Sequence, residues 1–184
     1  MNMKRVLVPI ADGTEEMEAV CIIDILRRAG AEVTVASVDG LQVTASRGVK
    51  LVADTLIAGC TDEIYDLIAV PGGMPGAEHL RDCPVLAALL RAQSAAGRRY
   101  AAICAAPVVV LQHHGLLAGR RATCHPSFAL QLHDPQSVEE RVVVDGPCIT
   151  SRGPGTAVEF ALELVAQLYG AEKAQQVGAA MVTQ

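Results

Sequence analysis

The chain contains no tryptophan, and aromatic residues make up only 3% of its 184 residues. A core built around large rings is therefore excluded, and Val, Ala, Leu and Ile must supply the buried surface. No stretch reaches the roughly 18 uninterrupted apolar residues of a spanning helix, so the sequence predicts no membrane partner. Runs of Lys or Arg are also lacking and the formal charge is −5. Nucleic acid and anionic membrane both demand concentrated positive charge, which argues against either partner. The six cysteines, at 21, 60, 83, 104, 124 and 148, include no CxxC pair and no metal-ligand spacing. They read as reduced thiols of a cytoplasmic protein, with no metal expected. The opening MNMKRVLVPIADG has a basic pair before an apolar run, but Asp12 ends that run without a cleavage signal, so it reads as a first strand.

The length suits one domain over 1–184 with a sizeable core. Short β-branched runs recur at Arg5 to Ile10, Glu32 to Val38, Asp66 to Val70, Arg99 to Ile103, Arg121 to Cys124, Val142 to Val144 and Cys148 to Ser151. Helical periodicity occupies about 15–29, 76–95, 105–114, 156–169 and 171–180. This alternation predicts an α/β fold, a mostly parallel sheet with helices on both faces. Residues 41–55 read as a hairpin appended to that sheet, and VVVDGPCITS as a second hairpin turning at Asp145-Gly146. Ligands of such sheets collect beyond the carboxyl ends of the strands. That rule selects three loops: ADGTEE, PGGMPGA and CAAP.

Cys104 lies at the joint between a buried strand and a helix, with the small residues Ala102 and Ala106 two positions to either side. A strand-to-helix turn that carries a nucleophile needs such small neighbours. Pro107 suits a first helical turn, where its missing N–H costs nothing. A thiol at the positive end of a helix is expected to ionise more readily than usual. The alternative is a small buried hydrophobe, the ordinary fate of a free cysteine.

In GTEEMEAVCIIDILRRAG, Thr14 is placed to cap the helix, while Glu15 and Glu16 fall in its favourable first turn and need no further role. Glu18 differs, because it shares an apolar stripe with Ile22 and Ile25. A carboxylate facing the core is costly unless paired or protonated, and burial beside a thiolate raises its pKa. The other reading is a helix residue that reaches solvent past the first turn. Gly72 and Gly73 allow backbone amides to approach a ligand, and with the Ala105 amide they can form an oxyanion hole; a plain tight turn is the alternative.

No His follows Cys104, so a Cys-His-acid triad is not written in the obvious place. His125 ends a strand and is a candidate pocket residue. His113 and His114 suit a helix C-terminus, and His79 and His133 read as surface residues. SRGPGT lacks the Lys-Ser/Thr ending of a phosphate loop and reads as a strand-to-helix turn, while Arg47 and Arg152 can bring positive charge near the pocket.

Together, ADGTEEMEAV, LRRAGAEVTVASV, SRGVKLVAD, YDLIAVPGGMPGAEHL, AAICAAP, His125-Pro126 and TSRGPGTAVEFAL resemble the ThiJ/PfpI superfamily, in the branch of the Parkinson-disease protein deglycase and bacterial YajL. The resemblance spans nearly the whole chain. It implies a flavodoxin-like three-layer sandwich, usually a homodimer, with no cofactor. It further implies a nucleophile at Cys104, its partner acid at Glu18, oxyanion donors at the backbones of Gly73 and Ala105, a pocket histidine at His125 and a rim arginine at Arg47. The implied function is a cofactor-independent deglycase or glutathione-independent glyoxalase acting on small reactive aldehydes or glycated amines and thiols. The rival is an oxidative-stress sensor or chaperone with an oxidisable cysteine; thiazole phosphate metabolism and peptidase activity are further alternatives. The chain departs from related triad-bearing branches at Ala105, where they place His. Extra oxidation-sensitive cysteines of the animal members fall at Ala45 and Val52, and Pro9 is unexpected within a first strand.

Overall fold

Seven strands form one sheet in the computed structural model, which describes residues 3–183. Met1, Asn2 and Gln184 of the expected domain lie outside those residues. The strands are β1 (Arg5–Ile10), β2 (Glu32–Ser37), β5 (Thr55–Leu56), β6 (Leu67–Val70), β7 (Arg99–Ile103), β8 (Val142–Asp145) and β9 (Cys148–Ser151), and they lie in the order β5-β2-β1-β6-β7-β9-β8. All neighbouring pairs are parallel except β8 with β9, which form the expected hairpin around Asp145-Gly146. The fold is flavodoxin-like α/β.

The inner strands have apolar side chains on both faces, as a sheet covered from two sides requires. Val6, Val8 and Ile10 face a core with α1 (Glu16–Arg28), α4 (Ala157–Tyr169) and α5 (Ala171–Ala180). Leu7, Ile68 and Tyr100 face the other core, closed by α2 (Gly76–Asp82), α3 (Pro84–Ala95) and a π-helix at Pro107–Gln112. With few aromatics available, Phe160 and Tyr100 are the largest fully buried side chains, one in each core.

Several boundaries differ from expectation for identifiable reasons. The helix expected over 76–95 is two, because Cys83 takes an extended conformation ahead of Pro84, which then starts α3. The expected strand Arg121 to Cys124 joins no sheet. Both edges of β9 are already occupied by β7 and β8, so the segment runs alongside, with the Thr123 amide donating to the Thr150 hydroxyl oxygen at 3.0 Å. Within the expected 41–55 hairpin, β3 (Gln42–Thr44) and β4 (Lys50–Val52) form their own two-stranded sheet, and only Thr55 at its end joins the main one, in β5. Pro9 stands within β1, yet pairing is interrupted on one side only: β1 pairs with β2 through Ile10 but with β6 only at Val6 and Leu7.

From β1 the chain passes to β2 and then β5 on one side, and crosses back past β1 to β6 on the other. The loops after β1, β6 and β7 therefore meet at the carboxyl end of the sheet, where a crevice opens. Two of them are in close contact: a side chain at Gly76 would run into the Thr14 backbone, and Gly73, at φ +88°, faces Gly13 and Glu15 equally closely.

Candidate active site

Cys104 follows the last residue of β7 and adopts φ +66°, a left-handed conformation that disfavours any side chain. Its backbone is held on both sides. The Cys104 amide donates to the Ser151 carbonyl at 3.1 Å, and its carbonyl accepts from the His125 amide at 2.8 Å. Such strain costs on the order of 1–3 kcal/mol and persists where surroundings enforce it, commonly at functional sites. Cys104 is only partly buried and lines a cavity of about 280 Å³.

Behind the cysteine, Glu18 is completely buried on α1. Its Oε2 accepts from the Gly72 amide at 2.7 Å, while Oε1 is buried with no hydrogen-bond partner. An ionised oxygen left that way is costly, so this is the atom on which a proton is accommodated. Burial pushes the carboxyl up to about 7, against the opposing effects of the Gly72 amide and the Cys104 thiol. Contrary to the expectation from a helix terminus, Cys104 does not ionise easily. The following helix is one short π-helical stretch, and burial, then the Glu18 charge, push the thiol up to about 12; the Gly73 and Ala105 amides act in the opposite direction. Two groups in such contact release their protons in steps that belong to the pair. Between the two steps, the pair holds one proton and one negative charge.

The glycines divide their work. A side chain at Gly72 would meet the Cys104 β-carbon at 2.6 Å and the Ile103 carbonyl oxygen at 2.8 Å, so only glycine fits. Gly72 was expected to offer its amide to a ligand, but that amide is committed to Glu18. Gly73 and Ala105 line the cavity, and their amides interact with the Cys104 sulfur.

His125 also lines the cavity, where its Nδ1 accepts from the Ser127 amide at 3.2 Å. With Nδ1 accepting, Nε2 is the ring nitrogen left to face the cavity. Arg152 was expected near the pocket; it instead pairs with the Glu139 carboxylate at 3.3 Å and does not line the cavity. His114 bridges the Arg81 carbonyl and the Arg91 guanidinium, a structural position, and His79 and His133 are exposed.

Arg47 lies at the cavity on the turn between β3 and β4. No local pattern indicates what holds that turn. Glu16, expected only to complement the helix dipole, is buried: its Oε1 accepts from the Arg47 amide at 2.8 Å and its Oε2 from the Ser46 hydroxyl at 2.8 Å. Burial pushes its carboxyl up, but the backbone amides and the Ser46 hydroxyl outweigh this and hold it below the usual range. Thr14 does not cap α1 as expected. Its hydroxyl accepts from the Ala11 amide at 2.9 Å, and Glu15 caps instead, accepting from the Glu18 amide at 2.7 Å. Met74 and Phe128 complete the cavity wall, and neither carries a signal in an isolated sequence.

Among the described residues, no group of three or more His, Cys, Asp and Glu side chains is disposed to hold a metal ion, and no helix is long and apolar enough to cross a membrane.

Residues 4–167 match the DJ-1/PfpI family. The chain is 50% identical to protein DJ-1 homolog B of Arabidopsis thaliana over 98% of its own length but 42% of that protein's, so it spans less than half of this relative. It is 38% identical to a glutathione-independent glyoxalase of Caenorhabditis elegans, covering 91% of this chain and 89% of the relative. Among solved structures, oxidized DJ-1 of Toxoplasma gondii superposes with a TM-score of 0.95 at 52% identity, covering 97% of this chain and 98% of that one.

Proposed function

The chain belongs to the DJ-1/PfpI family, and from that premise we propose that it is a cofactor-independent cysteine enzyme acting on 2-oxoaldehydes, or on their early adducts with amines and thiols, to release a hydroxy acid. One observation carries this reading: a completely buried carboxyl with a pKa near 7 lies against a strained cysteine that faces a cavity. A proton-transfer group is most effective when its pKa lies near the working pH. The glutathione-independent glyoxalase activity named for the C. elegans relative fits that chemistry.

With methylglyoxal, the Cys104 sulfur adds to the aldehyde carbon. A carbon–sulfur bond forms, and the carbonyl electron pair moves to oxygen, where the Gly73 and Ala105 amides receive the charge. The thiol proton passes to Glu18 as the bond forms, and Glu18 delivers it to that oxygen, giving a hemithioacetal and leaving Glu18 as the carboxylate. Glu18 as carboxylate removes the proton from the former aldehyde carbon, giving an enediol, and returns a proton to the former ketone carbon. One carbon is thereby oxidised and its neighbour reduced, with no external electron acceptor. The product is a lactate thioester; water attacks its carbonyl, the carbon–sulfur bond breaks, and lactate and the free thiol are released. His125 is the group available at the cavity to assist proton movement on the oxygens.

The test is methylglyoxal loss and lactate formation without glutathione, for the native protein, Cys104→Ser and Glu18→Gln. Turnover that disappears in both variants supports the assignment; turnover that survives in either removes the role given to that residue.

A second reading, an oxidisable stress-sensing cysteine, is favoured by the same geometry, since an acid holding a proton beside Cys104 can donate to an oxidised sulfur. The T. gondii relative is described as oxidized. Mass spectrometry after mild peroxide would show selective addition of two oxygens at Cys104 under this reading, accompanied by a gain of client-protein holding.

A further inference from the structure

Resting on the reading above, we propose that Glu16 is a positioning residue that holds the Ser46–Arg47 turn over the Cys104 cavity, and that Arg47 held there selects oxoaldehydes or adducts carrying an anionic group.

The turn is not an independent loop tip. The Ser46 amide donates to the Thr14 carbonyl at 2.8 Å, the Gly13 amide to the Thr44 carbonyl at 2.8 Å, and the Thr44 amide to the Asp12 carboxylate at 2.7 Å. Glu16 adds its two bonds from within the first turn of α1, two residues before Glu18. The helix that carries the acid against Cys104 therefore also fixes the hairpin that brings a guanidinium to the cavity.

The charges around the cavity favour this reading. Among the described residues Arg47 has no carboxylate within ion-pair distance, and its guanidinium donates only to the adjacent Ser46 carbonyl at 3.3 Å. Glu15, the carboxylate that shares the cavity, is engaged at the α1 N-terminus by the Glu18 amide. An arginine left without an acid at a cavity mouth, with five donors in a fixed fork, is suited to a carboxylate or phosphate. The volume of about 280 Å³ leaves room beyond a molecule of five heavy atoms such as methylglyoxal. An anionic extension can occupy the remainder on the Arg47 side.

The experiment separates this inference from the turnover reading by using two alkylating agents of similar size, iodoacetate and iodoacetamide. Each is attacked by the Cys104 sulfur with loss of iodide, and only the first carries a negative charge. Alkylation is followed on the peptide containing Cys104, and the ratio of the two rates cancels general changes in exposure. Arg47→Ala is expected to lower the iodoacetate-to-iodoacetamide ratio by about two- to fivefold, the range for a partly solvated charge pair. Glu16→Ala is expected to lower it by a similar factor. Glu16→Gln should retain most of it, because its carbonyl can accept from the Arg47 amide while its NH2 donates to Ser46. An unchanged ratio in Arg47→Ala overturns the anion selection; a fall there but not in Glu16→Ala overturns the positioning role. Should Glu16→Ala fail to fold, Ser46→Ala, which removes one of the two bonds, takes its place under the same criterion.

Turnover of 4,5-dioxovalerate, a 2-oxoaldehyde bearing a carboxylate, is then compared with methylglyoxal. A higher kcat/KM for the anionic substrate, carried by KM and lost in Arg47→Ala, is the expected result; no preference overturns the selection for substrates. Absence of all turnover with an intact alkylation effect refutes the enzyme reading and leaves the Glu16–Arg47 relationship standing.

Discussion

Gly72 donates its amide to Glu18 Oε2 at 2.7 Å, and its α-carbon sits where any added carbon would come within 3.0 Å of that same oxygen. A single residue thus both binds the acid and leaves room for it beside Cys104. Gly72→Ala places a methyl group against the Cys104 β-carbon and the Ile103 carbonyl, which belong to the strained joint. Overpacking of this kind costs about 1–3 kcal/mol, which urea denaturation would register. The larger effect is expected on activity: displacement of Glu18 from the sulfur should lower kcat on the order of a hundredfold, since misplacement by an ångström has that consequence. Full methylglyoxal turnover in Gly72→Ala would show that the contact tolerates displacement.

The conformation of Cys104 gives an opposite pairing of stability and activity. Glycine adopts φ +66° without the penalty that a side chain carries there. Cys104→Gly is therefore expected to be more stable than Cys104→Ala by about 0.5–1 kcal/mol, although both lack the thiol and should be inactive. Valine at this position, branched at the β-carbon, should be less stable than either. Thermal midpoints of the three variants check the order; a Cys104→Gly protein no more stable than Cys104→Ala would mean that the surrounding hydrogen bonds carry no strain.

How the site emerges from the sequence follows from the range of the interactions involved. The alternation of β-branched runs and helical periods conveyed the doubly covered sheet, because those patterns reflect burial on each element separately. Glu18 stood out for the same reason, as a carboxylate on an apolar stripe beside Ile22 and Ile25. Glu16 did not, because its burial depends on Ser46 and Arg47, thirty residues away on a hairpin whose docking no local pattern records. Gly72 was legible as a close approach but not as to what approached: the partner is Glu18, not a ligand. The segment 121–124 has a strand's composition yet stays out of the sheet, since whether an edge is free is a property of the whole topology. The raised thiol of Cys104 likewise reflects burial and the facing acid, which outweigh a helix terminus only a few residues long.

The Glu18–Cys104 pair should leave a signature in reactivity as a function of pH. In the native protein the first proton leaves the pair near pH 7, and from that point the pair carries a negative charge that can reside on sulfur. Cys104 alkylation by iodoacetamide should therefore rise through an inflection near 7. In Glu18→Gln no carboxyl remains to take up that proton, and burial still opposes thiolate formation, so the inflection should move upward. An inflection that stays near 7 in Glu18→Gln would assign the titration to another group.

The same pair sets a stability dependence whose sign is fixed by linkage. An ordinary carboxyl titrates near 4.5, whereas Glu18 in the folded chain titrates near 7. Between those values the native state holds a proton that the unfolded chain has released. The contribution of this group to stability is therefore greatest at the acid end of the window and falls as pH rises towards 7, by about 3 kcal/mol at most. Glu18→Gln, which mimics the protonated acid and cannot ionise, should lose this slope and gain relative to the native protein as pH increases. Urea midpoints for both proteins at several pH values between 4.5 and 8 provide the measurement. Parallel curves would mean that Glu18 is ionised throughout, and would remove the protonated acid from both the catalytic and the oxidative readings of Cys104.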